Sequence, residues 1–202
     1  MSLDGERDRE TGRDNTADAI TWTLYLILRN PSYHTRIVAE IEGLPSGLSN
    51  IELAHKLPVL GATTFEALRL YPPIPREILQ STSTENLALP DGTIVRPGEV
   101  VLWSPWVSAR LSSAWGENAE SFRPERWMEM NHKPSAYESP VFHGGPRSCL
   151  GQKMAKLELV VVMKELLERY VFEAGRDGGE RRMGRAFTNP MEGGLPVRVR
   201  RR

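Results

Sequence analysis

Only one cysteine, Cys149, occurs in the 202 residues, and it lies in the stretch VFHGGPRSCLGQKMAKLELVVVM, Val141 to Met163. A single thiol excludes any internal disulfide. A reducing compartment is therefore the expectation, with the sulfur free or ligated. The backbone around that sulfur is tightly specified. Gly144, Gly145 and Pro146 set a sharp turn just upstream, of the kind that brings backbone close to something flat or bulky. Downstream, Leu150 to Tyr170 has the length and apolar spacing of a helix. Cys149 is expected in the first turn of that helix, where unpaired N–H groups and the positive end of the helix dipole favour a thiolate. Gly151 leaves room for close approach. Arg147 places a cation two residues from the sulfur, suited to an anionic group beside whatever the sulfur binds. Along the helix, Met154, Leu157 and Val161 are expected to face inward, and Lys153, Lys156 and Lys164 to face water.

Towards the N-terminus the apolar period is helical. Thr16 to Arg29 reads as a largely buried helix stopped by Asn30-Pro31. Ser32 to Leu44 reads as a second helix with Ile37 and Ile41 on one face, and Leu60 to Tyr71 as a third, halted by Pro72-Pro73. The period then changes. Leu87 to Trp103 sets short apolar runs between Asp91-Gly92 and Pro97-Gly98 turns and predicts a small antiparallel sheet. Ala109 to Pro140, rich in Ser, Pro, Trp and Glu, reads as an irregular meander. FTNPMEGGLPVRV closes the chain as two short strands about Glu192-Gly193-Gly194. Helices come first and sheet later, without strict alternation, so the fold class is α+β, mainly helical.

Charge narrows the functions. Twenty-six basic and 26 acidic residues leave a formal net charge of zero, which gives no reason to expect a nucleic-acid partner. The terminal VRVRRR reads as a short solvated tail. MSLDGERDRE lacks the apolar core of a signal peptide. The longest apolar run, Ala17 to Leu28, is too short and too interrupted to span a bilayer, so no membrane anchor is expected in this chain. The organisation predicted is a polar segment over 1–10 followed by one domain over 11–202.

Two further clusters join the cysteine loop. In TTFEALRLYPPIP, Glu66 and Arg69 stand i, i+3 on a helix face. In SFRPERW, Arg126 follows Pro124-Glu125. Upstream, Thr11-Gly12-Arg13-Asp14-Asn15-Thr16 heads the first helix, where Asp14 or Asn15 is placed to act as a cap.

The pattern Phe142-x-x-Gly145-x-Arg147-x-Cys149-x-Gly151 fixes five residues over ten positions. It resembles the haem-binding signature of the cytochrome P-450 superfamily, in which the cysteine thiolate is the axial ligand of haem iron. Glu66, Arg69 and Arg126 match the family's Glu-x-x-Arg helix and Pro-Glu-Arg motif, whose guanidinium groups clamp one carboxylate and fix the meander beneath the haem. Thr11 to Thr16 resembles the family's distal-helix motif, Ala/Gly-Gly-x-Asp/Glu-Thr-Thr. Asn15 stands here where the first threonine helps to deliver protons to iron-bound oxygen.

The resemblance implies heme b as cofactor, with iron held by Cys149 and its pocket lined by Phe142, Gly145, Arg147 and Gly151. Arg147 and Arg76 are the bases it offers to the propionates. Asp14, Asn15 and Thr16 are the implied distal catalytic residues, and Ala19, Ile74, Pro75 and the Thr188 to Met191 turn the implied substrate contacts. The implied activity is a monooxygenase taking electrons from an NADPH-dependent flavoprotein reductase, with Lys153 and Lys156 on the facing surface, and acting on a small apolar substrate. The sequence texture is most similar to fungal and plant members that hydroxylate fatty acids or alkanes. Relatives reside on the endoplasmic reticulum membrane, whereas this chain alone would be cytoplasmic. The match begins at the distal helix, so the chain is expected to be a truncated C-terminal half. The alternative is a catalytically inactive relic of such an enzyme.

Overall fold

The computed structural model describes residues 3–132, 134–175 and 179–202, with side chains from residue 12 onward. The first helix, α1 (Leu3–Arg29), begins well before the predicted Thr16. No proline interrupts the polar stretch ahead of it, so the helix runs on through that stretch and neither Asp14 nor Asn15 caps it. Asn30 breaks the chain before Pro31, and α2 (Pro31–Glu42) turns Ile37 and Ile41 inward. The next helix, α3 (Asn50–His55), was not predicted. Ser49 and Glu52 form a reciprocal capping box at its start. The fourth, α4 (Pro58–Leu70), is stopped by Pro72 and Pro73. Its first free N–H groups are met by a carboxylate from α2: Val59 and Leu60 donate to Glu40 at 2.9 and 3.0 Å.

The last helix, α8 (Gln152–Arg169), starts two residues later than predicted, with Gly151 as its N-cap residue. Cys149 therefore lies upstream of the first turn rather than within it. The inward stripe also differs. Leu159, Val160, Met163 and Leu167 are buried, Met154 is 65% exposed, and Lys164 is largely covered and paired with Glu165 and Glu168. The main core joins this stripe to Leu24 and Ile27 of α1, Ile37 and Ile41 of α2, Leu53 of α3 and Leu60 of α4. A second cluster around Trp22 includes Tyr25, Ala67 and Met191, and Trp22 stacks on Tyr71 at 4.0 Å between ring centroids.

The strands are short antiparallel pairs. β1 (Glu77–Gln80) lies upstream of the predicted sheet; its partner β4 (Val100–Trp103) lies inside it, with Glu77 opposite Trp103. β2 (Leu87–Ala88) and β3 (Ile94–Val95) form the minor hairpin around Asp91-Gly92. The strand pair expected around Glu192-Gly193-Gly194 does not form; Met191, ahead of that turn, makes an isolated bridge back to Met183. The final strand β6 (Val197–Arg201) instead pairs with β5 (Tyr170–Ala174), which continues directly from α8. Between β4 and α8 the meander holds three one-turn helices, α5 (Pro105–Ser108), α6 (Ser112–Trp115) and α7 (Arg126–Glu129). The architecture is α+β and mainly helical.

Candidate haem-facing site

The meander is fastened by one fully buried carboxylate. Glu66 Oε1 accepts from Arg69 Nη2 at 2.8 Å, Arg126 Nε at 2.9 Å and the Arg123 amide at 2.9 Å; Oε2 accepts from Arg69 Nε and Trp127 Nε1, each at 2.8 Å. Arg69 also donates to the carbonyls of Ala109, Ala119 and Ser121, and Arg126 to those of Trp115, Asn118 and Ser121. Both guanidinium groups lie near the Trp115 ring, Arg69 at 4.9 Å from its centroid. Each buried charge is thus paired and its remaining donors are satisfied, the condition under which a buried ion cluster is tolerable. Sequence spacing pointed to three of these side chains; Trp127 and the Arg123 amide were not foreseen.

Glu125 extends the knot to α2. Tyr33 donates its hydroxyl to Glu125, and Arg36 binds the same carboxylate at 2.5 Å. Burial, then the hydrogen bond to Glu125, pushes the Tyr33 hydroxyl up to about 12. Burial alone would raise the Glu125 carboxyl, but the bonds from Tyr33 and Arg36 outweigh it and hold it below the usual range.

The cysteine loop is built from two short 3-10 turns, Pro140–Phe142 and Gly145–Arg147. Gly145 has φ +61°, and a Cβ there would meet the Tyr137 hydroxyl at 3.2 Å; a Cβ on Gly144 would meet the Tyr137 ring at 3.0 Å. Gly151 has ordinary helical dihedrals, so its conformation does not require glycine. A Cβ at that position would rest 3.8 Å from the Cys149 sulfur. The Cys149 amide donates to the Phe142 carbonyl at 2.9 Å. Phe142 packs on the cluster formed by Ala19 of α1, Leu68 of α4 and Leu159 of α8. The loop is thereby fixed to three helices while Cys149 and Arg147 remain exposed and Leu150 is 105% exposed.

His143 was not singled out from the sequence. It sits at φ +57° and pairs with Glu77 of β1 at 3.2 Å, with its ring edge-on to Trp103 of β4. Burial raises the Glu77 carboxyl, and His143 opposes that rise.

The predicted distal residues lie within α1. Thr16 donates its hydroxyl to the Gly12 carbonyl at 3.1 Å, and Asp14 pairs with Arg13 at 3.0 Å at the surface. Asn15 Oδ1 and Asp18 Oδ2 are buried and have no hydrogen-bond partner among the described residues. Ala19 is core rather than pocket wall, at 3% exposure. Lys153 is exposed, but Lys156 does not simply face water: its ammonium lies 5.5 Å from the Phe65 ring centroid and 5.2 Å from that of Phe142. Arg76, Pro75, Thr188 and Asn189 share the wall of a cavity of about 340 Å³.

These features define a class of scaffold, a mainly helical domain in which a buried Glu–Arg–Arg knot and a glycine turn present one thiol on an open face. Residues 11–194 match the cytochrome P-450 family, and the chain belongs to that family. It is 36% identical over 200 residues to cytochrome P-450 CYP94D108 of Paris polyphylla, covering 94% of this chain and 40% of that protein. Identity to cytochrome P-450 94A1 of Vicia sativa is 32% over 200 residues, with 95% and 38% covered. Identity to noroxomaritidine synthase 1 of Narcissus pseudonarcissus is 30% over 205 residues, with 94% and 39% covered. The chain thus spans about two fifths of the length of the curated relatives it matches. Among the described residues no helix is long and apolar enough to cross a membrane.

Proposed function

We propose that this chain is the haem-binding portion of a monooxygenase acting on an aliphatic substrate of the fatty-acid or alkane class. The observation that carries the reading is the cysteine loop. The chain's one thiol is exposed, and its backbone is tied to Phe142 and so to α1, α4 and α8. The donor set suits heme b: a thiol for iron, a bare glycine beside the sulfur, the fully exposed apolar side chain of Leu150, and the exposed cation of Arg147 for a propionate.

When bound, the haem supplies dioxygen activation and insertion of one oxygen atom into a C–H bond, with electrons from an NADPH-dependent flavoprotein reductase. The protein's part is positional. The Glu66 knot holds the meander against α4, and the positive-φ turn at Gly145 aims the following cysteine outward. Asn15 offers its unpartnered Oδ1 as an acceptor for a water, while the Thr16 hydroxyl is already donated to the Gly12 carbonyl. Lys153 is the exposed lysine offered to a reductase, at the endoplasmic reticulum where the family analogy sets such a pair.

A second reading, a haem binder without turnover, is favoured by Asn15, since an amide relays protons less well than a hydroxyl. The test is to express the full chain with haem supplied, reduce it, add carbon monoxide and record the Soret spectrum. A thiolate-type band that Cys149→Ser abolishes supports haem ligation, and a folded, colourless protein overturns it. Haem uptake without product from a long-chain fatty acid plus reductase selects the second reading.

A further inference from the structure

His143 holds a backbone conformation that glycine ordinarily supplies. At φ +57° and ψ 177° it is, among the described residues, the one non-glycine residue with positive φ. A Cβ strains the chain in that region, and such a residue persists only where its surroundings hold it there. Its amide donates to the Pro140 carbonyl at 3.1 Å. Its ring Nε2 lies 3.2 Å from Glu77 Oε1, and the two side chains are only 35% and 15% exposed, so the contact is largely shielded from water. The ring also stands edge-on to Trp103, with 6.2 Å between centroids and 82° between planes.

This tether is fixed at its far end. Glu77 and Trp103 stand directly opposite each other in the β1–β4 ladder, so both present to one face of that pair. Ser104, just after β4, donates its hydroxyl to the Pro75 carbonyl, just before β1, at 2.7 Å. At its near end the tether meets the cysteine. The peptide unit joining Phe142 to His143 is bonded on both sides: its N–H donates to Pro140, and its carbonyl accepts from the Cys149 amide at 2.9 Å. Rotation about the His143 N–Cα bond swings that carbonyl relative to the ring. Fixing the ring and the φ together therefore fixes the acceptor that holds Cys149. A glycine here would reach the same dihedrals without strain, but it would carry no tether.

We propose that His143 is a positioning residue for Cys149: its ring, seated against Glu77 and Trp103, holds the Phe142–His143 peptide so that its carbonyl keeps the Cys149 amide, and with it the sulfur, in place as a metal ligand. The role towards a metal rests on the haem reading above, whereas the hold on the backbone does not, so the experiment reads the two separately. Cysteine labelled with heavy nitrogen gives a single amide signal, because the chain has one cysteine. Its hydrogen exchange is measured in the full chain without haem, for the wild type, Glu77→Ala, His143→Gly and the double variant. The amide of Met163, a residue of the α8 core at 0% exposure, reports overall stability. The same proteins are then loaded with haem, and their reduced carbon monoxide complexes are compared.

Losing one polar contact should speed exchange of the Cys149 amide by about twofold to tenfold in each single variant, with Met163 unchanged. His143→Gly should do so although glycine suits the backbone there. The double variant should exchange no faster than the faster single variant, because both changes act through one contact. The haem-loaded variants should show a smaller share of the thiolate-type band than the wild type. Unchanged Cys149 exchange, acceleration shared equally by Met163, or effects that multiply in the double variant each overturn the proposal. So does a wild-type share of the thiolate-type band in variants whose Cys149 exchange has quickened. A wild type that takes up no haem overturns the ligation reading instead, and the exchange rates still decide whether His143 holds the loop.

Discussion

Replacing Glu66 by glutamine is the sharpest test of what holds this fold together. The side chain keeps its shape but loses its charge, and one of its two oxygens becomes an NH₂ group. Oε1 serves three donors and Oε2 serves two, all buried. Either amide orientation therefore confronts at least two donors with another donor. Two guanidinium groups, Arg69 at 1% exposure and Arg126 at 5%, would also lose their shared counter-charge. Breaking a buried pair from one side costs about 3–5 kcal/mol. At about 2–4 °C per kcal/mol for a domain of this size, the melting temperature should fall by about 6–20 °C. Urea titration of the wild type, Glu66→Gln, Arg126→Ala and the double variant gives the coupling energy directly. The double variant should cost clearly less than the sum of the singles, by about 0.5–3 kcal/mol. Arg96→Ala is the control: its pair with Glu99 is 70% and 42% exposed, and such pairs contribute about 0–1 kcal/mol. A Glu66→Gln cost below about 1 kcal/mol, within that surface-pair range, would refute the argument that Glu66 fastens the meander.

Two further outcomes follow from single positions. Gly145→Ala forces a Cβ onto φ +61° and against the Tyr137 hydroxyl at 3.2 Å; it should cost about 1–3 kcal/mol in denaturant titration, and a neutral effect would mean the loop does not hold this turn. Asp18 is raised above its ordinary 3.8 by burial first, against a Thr188 hydrogen bond that lowers it, with Asp14 adding repulsion. A raised carboxylate pKa means the folded state binds the proton more tightly, so this group opposes folding at neutral pH and the opposition fades as pH falls through the folded value. Asp18→Asn should therefore be more stable than the wild type at pH 7 and lose that advantage on acidification, as thermal melts across pH 3 to 7 would record.

The parts of the fold legible in the sequence are those set by local chemistry. Asn30-Pro31 ends α1 and Pro72-Pro73 ends α4 where expected, and the Pro-Gly and Asp-Gly turns mark the small strands. The capping box at Ser49 follows the same local rule, Ser followed three residues later by Glu, but its six-residue helix is too short to show an apolar period. What failed to show was decided at a distance. On α8 two apolar stripes compete, and sequence spacing favours the one containing Met154. The other is buried because α1, α2, α3 and α4 meet it there. The closing strand pairs with Tyr170–Ala174 and not with its neighbour, since β5 emerges from α8 already extended alongside it.

The site divides the same way. A motif can name Glu66, Arg69, Arg126 and Cys149, because those side chains recur at fixed spacing. It cannot show the backbone amide of Arg123 or the indole of Trp127, which reach Glu66 only once the meander is folded, or the imidazole of His143, which reaches Glu77 of β1. Nor could it show that the Asn189 side chain donates to the Pro72 carbonyl at 3.1 Å, 117 residues away in the sequence. Asn189→Ala would remove that bond and leave the Pro72 carbonyl without it, while the Asn189 backbone carbonyl still accepts from Trp22 Nε1. The loss of this buried hydrogen bond should cost about 1–3 kcal/mol in denaturant titration, whereas a neutral effect would show that the segment after α4 is held by something other than this amide.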